Sequence, residues 1–410
     1  MNYGLIGEKL PHSFSKEIHE KIADYQYSLK ELKPSEVENF ILSKNFKAIN
    51  VTIPYKQTVI PFLDEIAPEA QAIGAVNTIV NRDGVLYGYN TDFGGMRALI
   101  ERTEVELKYK KALILGTGGT SRTARAVCER LGAKEILRVS RSGREGSITY
   151  EEAYARHSDA DVIINTTPCG MYPNITDCPI DLDRFPKLSG VIDAVYNPLS
   201  TTLVLKAKER GLNAAGGLYM LVAQAVLAAE HFMNKELDVI KLTNQIYEEI
   251  FFSKRNIVLS GMPGSGKSTV GKLTADQLGR EFIDTDALIV DRAGEITAIF
   301  AEHGEQYFRD LETEVIRELA PLNGKVISLG GGAILRDENI DALRHNGEIF
   351  FIDRSPEYLI PTDDRPLADE KAKIERLYHE RIDRYMATAD YIIDGDCDPE
   401  DVADSIINGE

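Results

Sequence analysis

Tryptophan is absent from this chain of 410 residues, cysteine is scarce and positive charge is in deficit. The four cysteines, Cys128, Cys169, Cys178 and Cys397, have no metal-ligand spacing and read as free thiols. Lys and Arg number 47 against 65 Asp and Glu, a net charge of −18. That balance argues against nucleic acid or an anionic membrane surface as a partner. Small anionic substrates stay open, because a local arginine cluster can override the global field. No apolar run approaches the ~20 residues that cross a bilayer. The start, Met1-Asn2-Tyr3-Gly4-Leu5-Ile6-Gly7-Glu8, has neither a basic nor an apolar export region, so a cytoplasmic location is expected. Low-complexity tracts and fixed-period repeats are missing as well. Self-association stays open.

What remains is an ordinary globular composition, 43% hydrophobic and 27% charged. The length suits about two to three domains. Strand-like and helix-like runs alternate nearly throughout, which predicts α/β architecture with parallel sheets covered by helices.

The segment Gly261-Met262-Pro263-Gly264-Ser265-Gly266-Lys267-Ser268-Thr269 fits G-x-x-x-x-G-K-[ST]. Ile257-Val258-Leu259 precedes it as a buried strand would, and helical spacing follows from Thr269. Glycines let backbone N–H groups turn toward phosphates, and a helix start adds partial positive charge. Lys267 then reaches the β/γ-phosphates and the Ser268 hydroxyl suits Mg²⁺. The competing reading is an ordinary glycine-rich turn. A second loop, Gly116-Thr117-Gly118-Gly119-Thr120-Ser121, follows the apolar Ala112–Leu115 run and precedes a helix expected from Arg122 to Leu131. A strand at 135–140 completes a βαβ unit of dinucleotide-binding type. Its third glycine is replaced by Ser121, so the pattern depends on that context; a tight turn without ligand is the alternative. An NAD site usually carries an acid about 20 residues after the glycines. Here Ser140-Arg141-Ser142-Gly143-Arg144 offers arginines instead, which suit the 2′-phosphate of NADP(H) unless they are solvated loop residues.

Polar residues also recur in apolar settings: Pro11-His12-Ser13-Phe14-Ser15, Asn50-Val51-Thr52-Ile53-Pro54-Tyr55-Lys56, Gly74-Ala75-Val76-Asn77-Thr78 and Gly88-Tyr89-Asn90-Thr91-Asp92. With Gly217-Leu218-Tyr219-Met220-Leu221-Val222-Ala223-Gln224-Ala225, this set resembles the shikimate dehydrogenase family across about residues 1–250. The resemblance implies that Ser13 and Ser15 hold a substrate carboxylate while Thr52, Asn77 and Gln224 bind ring hydroxyls. Lys56 and Asp92 would form the catalytic pair, with Tyr196 at the substrate or the cofactor. Gly116, Gly118, Gly119, Thr120, Ser121, Arg141, Arg144 and Gly217 would serve NADP(H). The chain departs from the family's cofactor loop at Glu145, where a basic residue is usual. Ketone reduction suits a Lys–Asp pair, since an ammonium stabilises developing oxyanion charge and a carboxylate orients it.

The later half places Phe282-Ile283-Asp284-Thr285-Asp286 on a strand, with both carboxylates expected on one face. Arg309 and Glu312 stand one helical turn apart. Ser328-Leu329-Gly330-Gly331-Gly332, Asp364-Arg365-Pro366-Leu367 and Arg381-Ile382-Asp383-Arg384-Tyr385 complete the set. In this order they resemble shikimate kinase across about residues 255–410. The resemblance implies Gly264, Ser265, Gly266, Lys267, Ser268 and Thr269 on ATP, with Ser268 and Asp284 on Mg²⁺. It puts Asp286 on the attacking hydroxyl and Arg309, Arg381, Gly331 and Gly332 around the substrate. Arg365 on a lid would reach the transferring phosphoryl group.

The expected organisation is a substrate-binding domain at 1–100 plus 215–252, a Rossmann domain at 101–214 and a P-loop domain at 255–410. The implied activity is reduction of 3-dehydroshikimate followed by phosphorylation of shikimate, in aromatic amino-acid biosynthesis. The alternative is an NAD-linked quinate/shikimate dehydrogenase fused to a P-loop kinase for another polyol acid. A scaffolding protein with a dead site fits poorly, because the expected residues are present in both halves.

Overall fold

Short β-branched and apolar runs bounded by glycine or polar turns become strands, and the amphipathic stretches between them become covering helices. The computed structural model describes residues 1–10, 13–144, 146–359 and 370–409. It divides into two units, Met1–Phe251 and Phe252–Glu410.

The first unit carries two sheets. One is built from β1 (Tyr3–Gly7), β2 (Tyr27–Glu31), β3 (Ala48–Val51), β4 (Glu65–Ile66), β5 (Thr78–Arg82) and β6 (Val85–Tyr89) in the order β2-β1-β3-β5-β6-β4. It is mixed, not wholly parallel as expected: β5 runs antiparallel to both β3 and β6. The cause is a tight hairpin at Asp83-Gly84, both with positive φ (51° and 89°). Asp-Gly between alternating side chains is a strong hairpin signal that was legible in the sequence. Because β5 is reversed, the start of β5 and the ends of β3 and β6 share one edge.

The other sheet contains β7 (Lys111–Leu115), β8 (Glu135–Val139), β9 (Val162–Asn165), β10 (Gly190–Asp193) and β11 (Asn213–Ala215), ordered β11-β10-β9-β7-β8 and parallel throughout. The strand order reverses at β7, so the crevice beyond its carboxyl end is the expected ligand position. The helix after it spans Gly119–Arg130, three residues earlier than its spacing predicts. The backbone turns helical inside the glycine loop itself.

Two helices tie the substrate edge into the core. Helix Asp92–Arg102 crosses Leu218–Met233 closely at Gly95, where an added Cβ would lie 2.7 Å from the Met220 carbonyl. Met96, Leu99, Ile100, Tyr219 and Met220 share a core with Ile114 and Ile164 of the parallel sheet. Phe14 and Ile18 pack with Leu218, Val222 and Val226. That packing sets the position of Gln224.

The second unit has one parallel sheet: β12 (Asn256–Ser260), β13 (Phe282–Asp284), β14 (Val326–Ser328), β15 (Gly347–Asp353) and β16 (Tyr391–Asp394), ordered β13-β14-β12-β15-β16. Ile257, Leu259, Phe350 and Ile352 bury against Val270, Ala275, Val402 and Ala403. The chain is therefore of the α/β class throughout. Among the described residues no helix is long and apolar enough to cross a membrane.

Candidate active sites

On the shared edge of the first sheet, Lys56 Nζ donates to Asp92 Oδ2 at 2.6 Å. The pair is mostly buried, with side chains 13% and 7% exposed, so solvent screens it weakly. Asp92 opens its helix, and Lys56 lies within the turn that follows β3. Beside them Asn77 Nδ2 donates to Thr91 Oγ1 at 3.0 Å and to Gln224 Oε1 at 3.4 Å, while the Thr91 N–H donates to Asn77 Oδ1 at 2.8 Å. Behind this layer Tyr27 donates to Asn50 Oδ1 at 2.7 Å, and Asn50 Nδ2 donates to Thr78 Oγ1 at 3.1 Å. These buried amides lock one another's orientation. Thr52 is half-buried at the end of β3. Ser13 accepts from the Ser15 N–H at 3.3 Å. Tyr196 packs its ring 5.3 Å from Phe14; burial pushes its phenol up, and a hydrogen bond from Ser13 partly offsets that. Thus Ser13, Ser15 and Tyr196 form one group, and Lys56, Asn77, Asp92 and Gln224 another.

The Gly116 loop approaches the second group. A Cβ on Gly119 would stand 3.7 Å from Lys56 Cδ, whereas one on Gly118 would meet nothing within 4 Å. A free helix start beside open space and an ammonium is suited to an anionic cofactor. Gly116 has φ +112°, and a Cβ there would fall 2.8 Å from Thr166 Oγ1. The Ser121 hydroxyl donates to the Gly116 carbonyl at 2.7 Å and is fully buried, so it braces the loop from within. Thr120 lies beside it in the first turn. A Cβ on Gly217 would overlap the Ala194 carbonyl, so that glycine permits close approach of two chain segments. Arg141 and Arg144 are exposed just past β8, where hydroxyls of Ser140 and Ser147, 2.7 Å apart, close the loop. These cations fit a ligand phosphate.

One residue the sequence reading missed is Asp193. It accepts from the Val195 N–H (2.9 Å), Thr201 Oγ1 (2.8 Å) and Asn165 Nδ2 (3.0 Å), and so fixes the segment carrying Tyr196. Burial pushes its carboxyl up to about 6, against those three hydrogen bonds. An acid closing an apolar strand was its only sequence signal.

In the second unit the P-loop leaves β12 and enters helix Lys267–Leu278. Gly264 and Gly266 have φ of +80° and +89°, which side chains resist, and these turns aim backbone N–H groups inward. Lys267 Nζ donates to the carbonyls of Gly261 (2.9 Å) and Met262 (3.0 Å). Ser265 Oγ is buried without a hydrogen-bond partner, an orphan that a phosphate oxygen would satisfy. Thr269 continues the helix start. Ser268 donates to Asp284 Oδ2 at 2.6 Å, an oxygen-only donor pair of the kind a hard divalent cation takes.

Asp284 and Asp286 do not share a strand, contrary to expectation. β13 ends at Asp284, whose Oδ1 accepts from the N–H groups of Asp286 (3.0 Å) and Ala287 (3.3 Å), capping helix Thr285–Ala293. The short acidic side chain offered the backbone a helix start, and that capping won over strand continuation. Asp286 faces Gly330, where a Cβ would overlap its carboxylate.

Arg309 and Arg381 are each only 8% exposed. Arg309 donates to Glu312 Oε2 at 2.9 Å and to Glu305 Oε1 at 3.1 Å; Arg381 donates to the Gly331 carbonyl at 3.2 Å. Burial pushes Glu312 up to about 7, with Arg309 opposing and Asp286 reinforcing the shift. A Cβ on Gly332 would sit inside the Arg309 guanidinium, and one on Gly331 would stand 2.9 Å from Pro263 Cγ. The Tyr385 hydroxyl lies 2.9 Å from the Gly261 carbonyl and 2.5 Å from that of Gly331, linking the two glycine loops. Two buried guanidiniums beside a phosphate cradle are an acid-binding arrangement. Glu312 was noted in the sequence only as a helical neighbour; its burial makes it the anchor of Arg309. Arg365 and its Asp364–Leu367 motif, together with Pro11, His12 and Glu145, lie outside the described residues.

Known proteins match both units. The family model for the shikimate dehydrogenase substrate binding domain matches residues 5–79, and that for shikimate kinase matches residues 263–409. A shikimate dehydrogenase (NADP(+)) of Clostridium perfringens is 40% identical over 266 residues, covering 60% of this chain and 97% of its relative. Among solved structures, shikimate dehydrogenase 1 from Peptoclostridium difficile superposes with TM-score 0.57 at 34% identity, covering 61% of this chain and 98% of the other. A chorismate mutase/shikimate 5-dehydrogenase fusion protein from Clostridium acetobutylicum gives TM-score 0.57 at 36% identity, over 60% and 96%. With its sheet edge, its cofactor-type loop and these relatives, the chain belongs to the shikimate dehydrogenase family, followed by a shikimate kinase domain.

Proposed function

We propose that this chain catalyses two consecutive steps: NADPH-dependent reduction of 3-dehydroshikimate to shikimate, and ATP-dependent phosphorylation of the shikimate 3-hydroxyl. The observation that carries the reading is the Lys56–Asp92 pair, 2.6 Å apart, beside the start of a free glycine-loop helix. The second unit repeats the theme with Arg309 and Arg381 beside a P-loop. Residues 1–100 plus 215–252 bind the first substrate, 101–214 bind NADP(H), and 255–410 form the kinase.

In the first site the cofactor, when bound, supplies the hydride. Ser13 and Ser15 hold the acid's carboxylate, Thr52, Asn77 and Gln224 fix its hydroxyls, and Tyr196 closes over them. The Lys56 ammonium stabilises the negative charge that develops on the former ketone oxygen and gives that oxygen its proton. Asp92 keeps the lysine charged and aligned, since an opposite charge at hydrogen-bond distance favours the ionised forms. Gly116, Gly118, Gly119 and Thr120 line the phosphate side, Ser121 braces that loop, Gly217 lets the chain pass close, and Arg141 with Arg144 meets the 2′-phosphate.

In the second site Mg·ATP, when bound, supplies the phosphoryl group. Arg309 and Arg381 grip the shikimate carboxylate against Gly331 and Gly332, which orients the 3-hydroxyl. Asp286 accepts that hydroxyl's proton. Residues 264–269 cradle phosphates, Lys267 exchanges loop carbonyls for phosphate oxygens, and Ser268 with Asp284 holds the cation. Arg365 neutralises charge on the transferring group. Phosphoryl transfer rests on this alignment and charge balance. A cytoplasmic setting suits the four unpaired cysteines.

The test supplies 3-dehydroshikimate, NADPH and Mg·ATP to the purified chain and identifies the product by mass. Shikimate 3-phosphate is expected. Accumulation of shikimate, or an NADH preference with quinate as product partner, overturns the reading.

A further inference from the structure

At the end of β15 the chain continues through Arg354, which lines a cleft with Ser265, Gly266 and Thr269 of the P-loop and Pro399 and Val402 opposite. Arg354 Nη1 stands 3.4 Å from the position of a Cβ on Gly266. Its Nε is buried and has no hydrogen-bond partner, and among the described residues the guanidinium enters no ion pair. Nearby carboxylates are already engaged. Asp396 accepts from the Ser355 N–H at 2.9 Å and from its hydroxyl at 2.5 Å; Asp353 accepts from Tyr378 at 3.3 Å; Asp394 accepts from the Asp396 N–H at 2.9 Å. Lys267, the loop's own cation, is directed to the carbonyls of Gly261 and Met262.

A guanidinium carries five N–H donors in a fixed fork and keeps its charge. The buried Nε fixes the stem in place, and the Nη groups beside Gly266 are left to pair with an anion in the cleft. The loop's backbone N–H groups cradle phosphates, so a nucleotide seated there must run its remaining length past Gly266 and Thr269. That path leads along Arg354. We propose that Arg354 is a nucleotide-binding residue whose guanidinium pairs with the inner phosphates of the nucleoside triphosphate held by residues 264–269. The proposal rests on the kinase reading above and adds a residue to it.

The experiment titrates ADP calorimetrically into the full chain, wild type, Arg354→Ala and Arg354→Gln. Loss of one charge-assisted contact predicts a Kd for ADP raised by about tenfold to a hundredfold in both variants. KM for shikimate and the rate of NADPH oxidation stay at wild-type values. Glutamine keeps most of the stem, so it serves should alanine disturb packing in the unit. ADP affinity within about twofold of wild type in Arg354→Gln overturns the proposal. Pyrophosphate used as a competitor must lose affinity as ADP does; a loss seen with ADP alone places the guanidinium on the base and overturns the phosphate assignment. A wild-type chain that binds no ADP removes the kinase reading itself, and this proposal with it.

Discussion

Single residues decide the chemistry, and the sequence exposes them unevenly. Lys267 and Ser268 stand in a short motif whose spacing already implies their use, and Lys56 and Asp92 stand in segments whose use only the family resemblance implies. Glu312 and Asp193 do not, because what makes them important is burial, and burial depends on distant elements. Glu312 is fully buried and holds Arg309, which in turn lies where any side chain on Gly332 would be. Gly332→Ala therefore tests the substrate grip without touching a charged group. The added methyl forces the guanidinium away, and Arg309 cannot retreat without abandoning Glu312. KM for shikimate should rise by roughly tenfold or more, the value of one charge-assisted contact, while ADP affinity stays unchanged. Steady-state kinetics at saturating ATP would check it; an unaltered KM would remove Arg309 from the substrate site.

Elements fold as their local signals direct, except where two signals compete. The βαβ and P-loop units were legible because an apolar run, glycines and a helical period follow one another. The reversed β5 was not inferred, although Asp83-Gly84 announces it, and Asp284 ends its strand and caps a helix where the pattern predicts a strand running on to Asp286. Helix Ser15–Ile22 offers a test of how burial tunes an element's stability. His19 is fully buried, stacked 4.0 Å from Tyr27, and its Nδ1 lies 2.7 Å from the Tyr25 hydroxyl. Burial opposes the charged ring and lowers its pKa from 6.5 to about 3. A folded value below the unfolded one means the contribution is full above 6.5 and is lost as pH falls toward 3. Asp193 works oppositely: its raised value favours the folded state more as pH falls from about 6 toward 3.8. Replacing His19 isolates its share. In urea unfolding of the first unit, His19→Phe should keep the ring packing, cost about 1 kcal/mol near neutral pH for the lost hydrogen bond, and flatten the decline between pH 6.5 and 4. An unchanged acid slope assigns that decline to other groups.

At the scale of the whole molecule, each unit contains its own sheet core, two sheets in the first and one in the second, its own glycine loop at a helix start and its own buried cation–carboxylate pairing. No Gly/Ser- or Pro-rich stretch marks the junction near residues 252–255, yet the motifs on either side already sort into two complete sets. Completeness has a measurable consequence: neither reaction should need the other's catalytic groups. Lys56→Ala removes the ammonium proposed to stabilise developing charge and deliver the proton, so reduction should slow by about two to four orders of magnitude. The same protein should phosphorylate supplied shikimate at the wild-type rate. Ser268→Ala removes the proposed cation ligand and should do the reverse, with NADPH consumed normally and shikimate accumulating. Following NADPH absorbance and ADP release in parallel for both variants distinguishes the cases. If Lys56→Ala also abolished phosphorylation of supplied shikimate, while both units still unfolded at wild-type urea concentrations, the two sites would be coupled. The picture of one acid bound in turn by two self-sufficient clefts would then have to be given up.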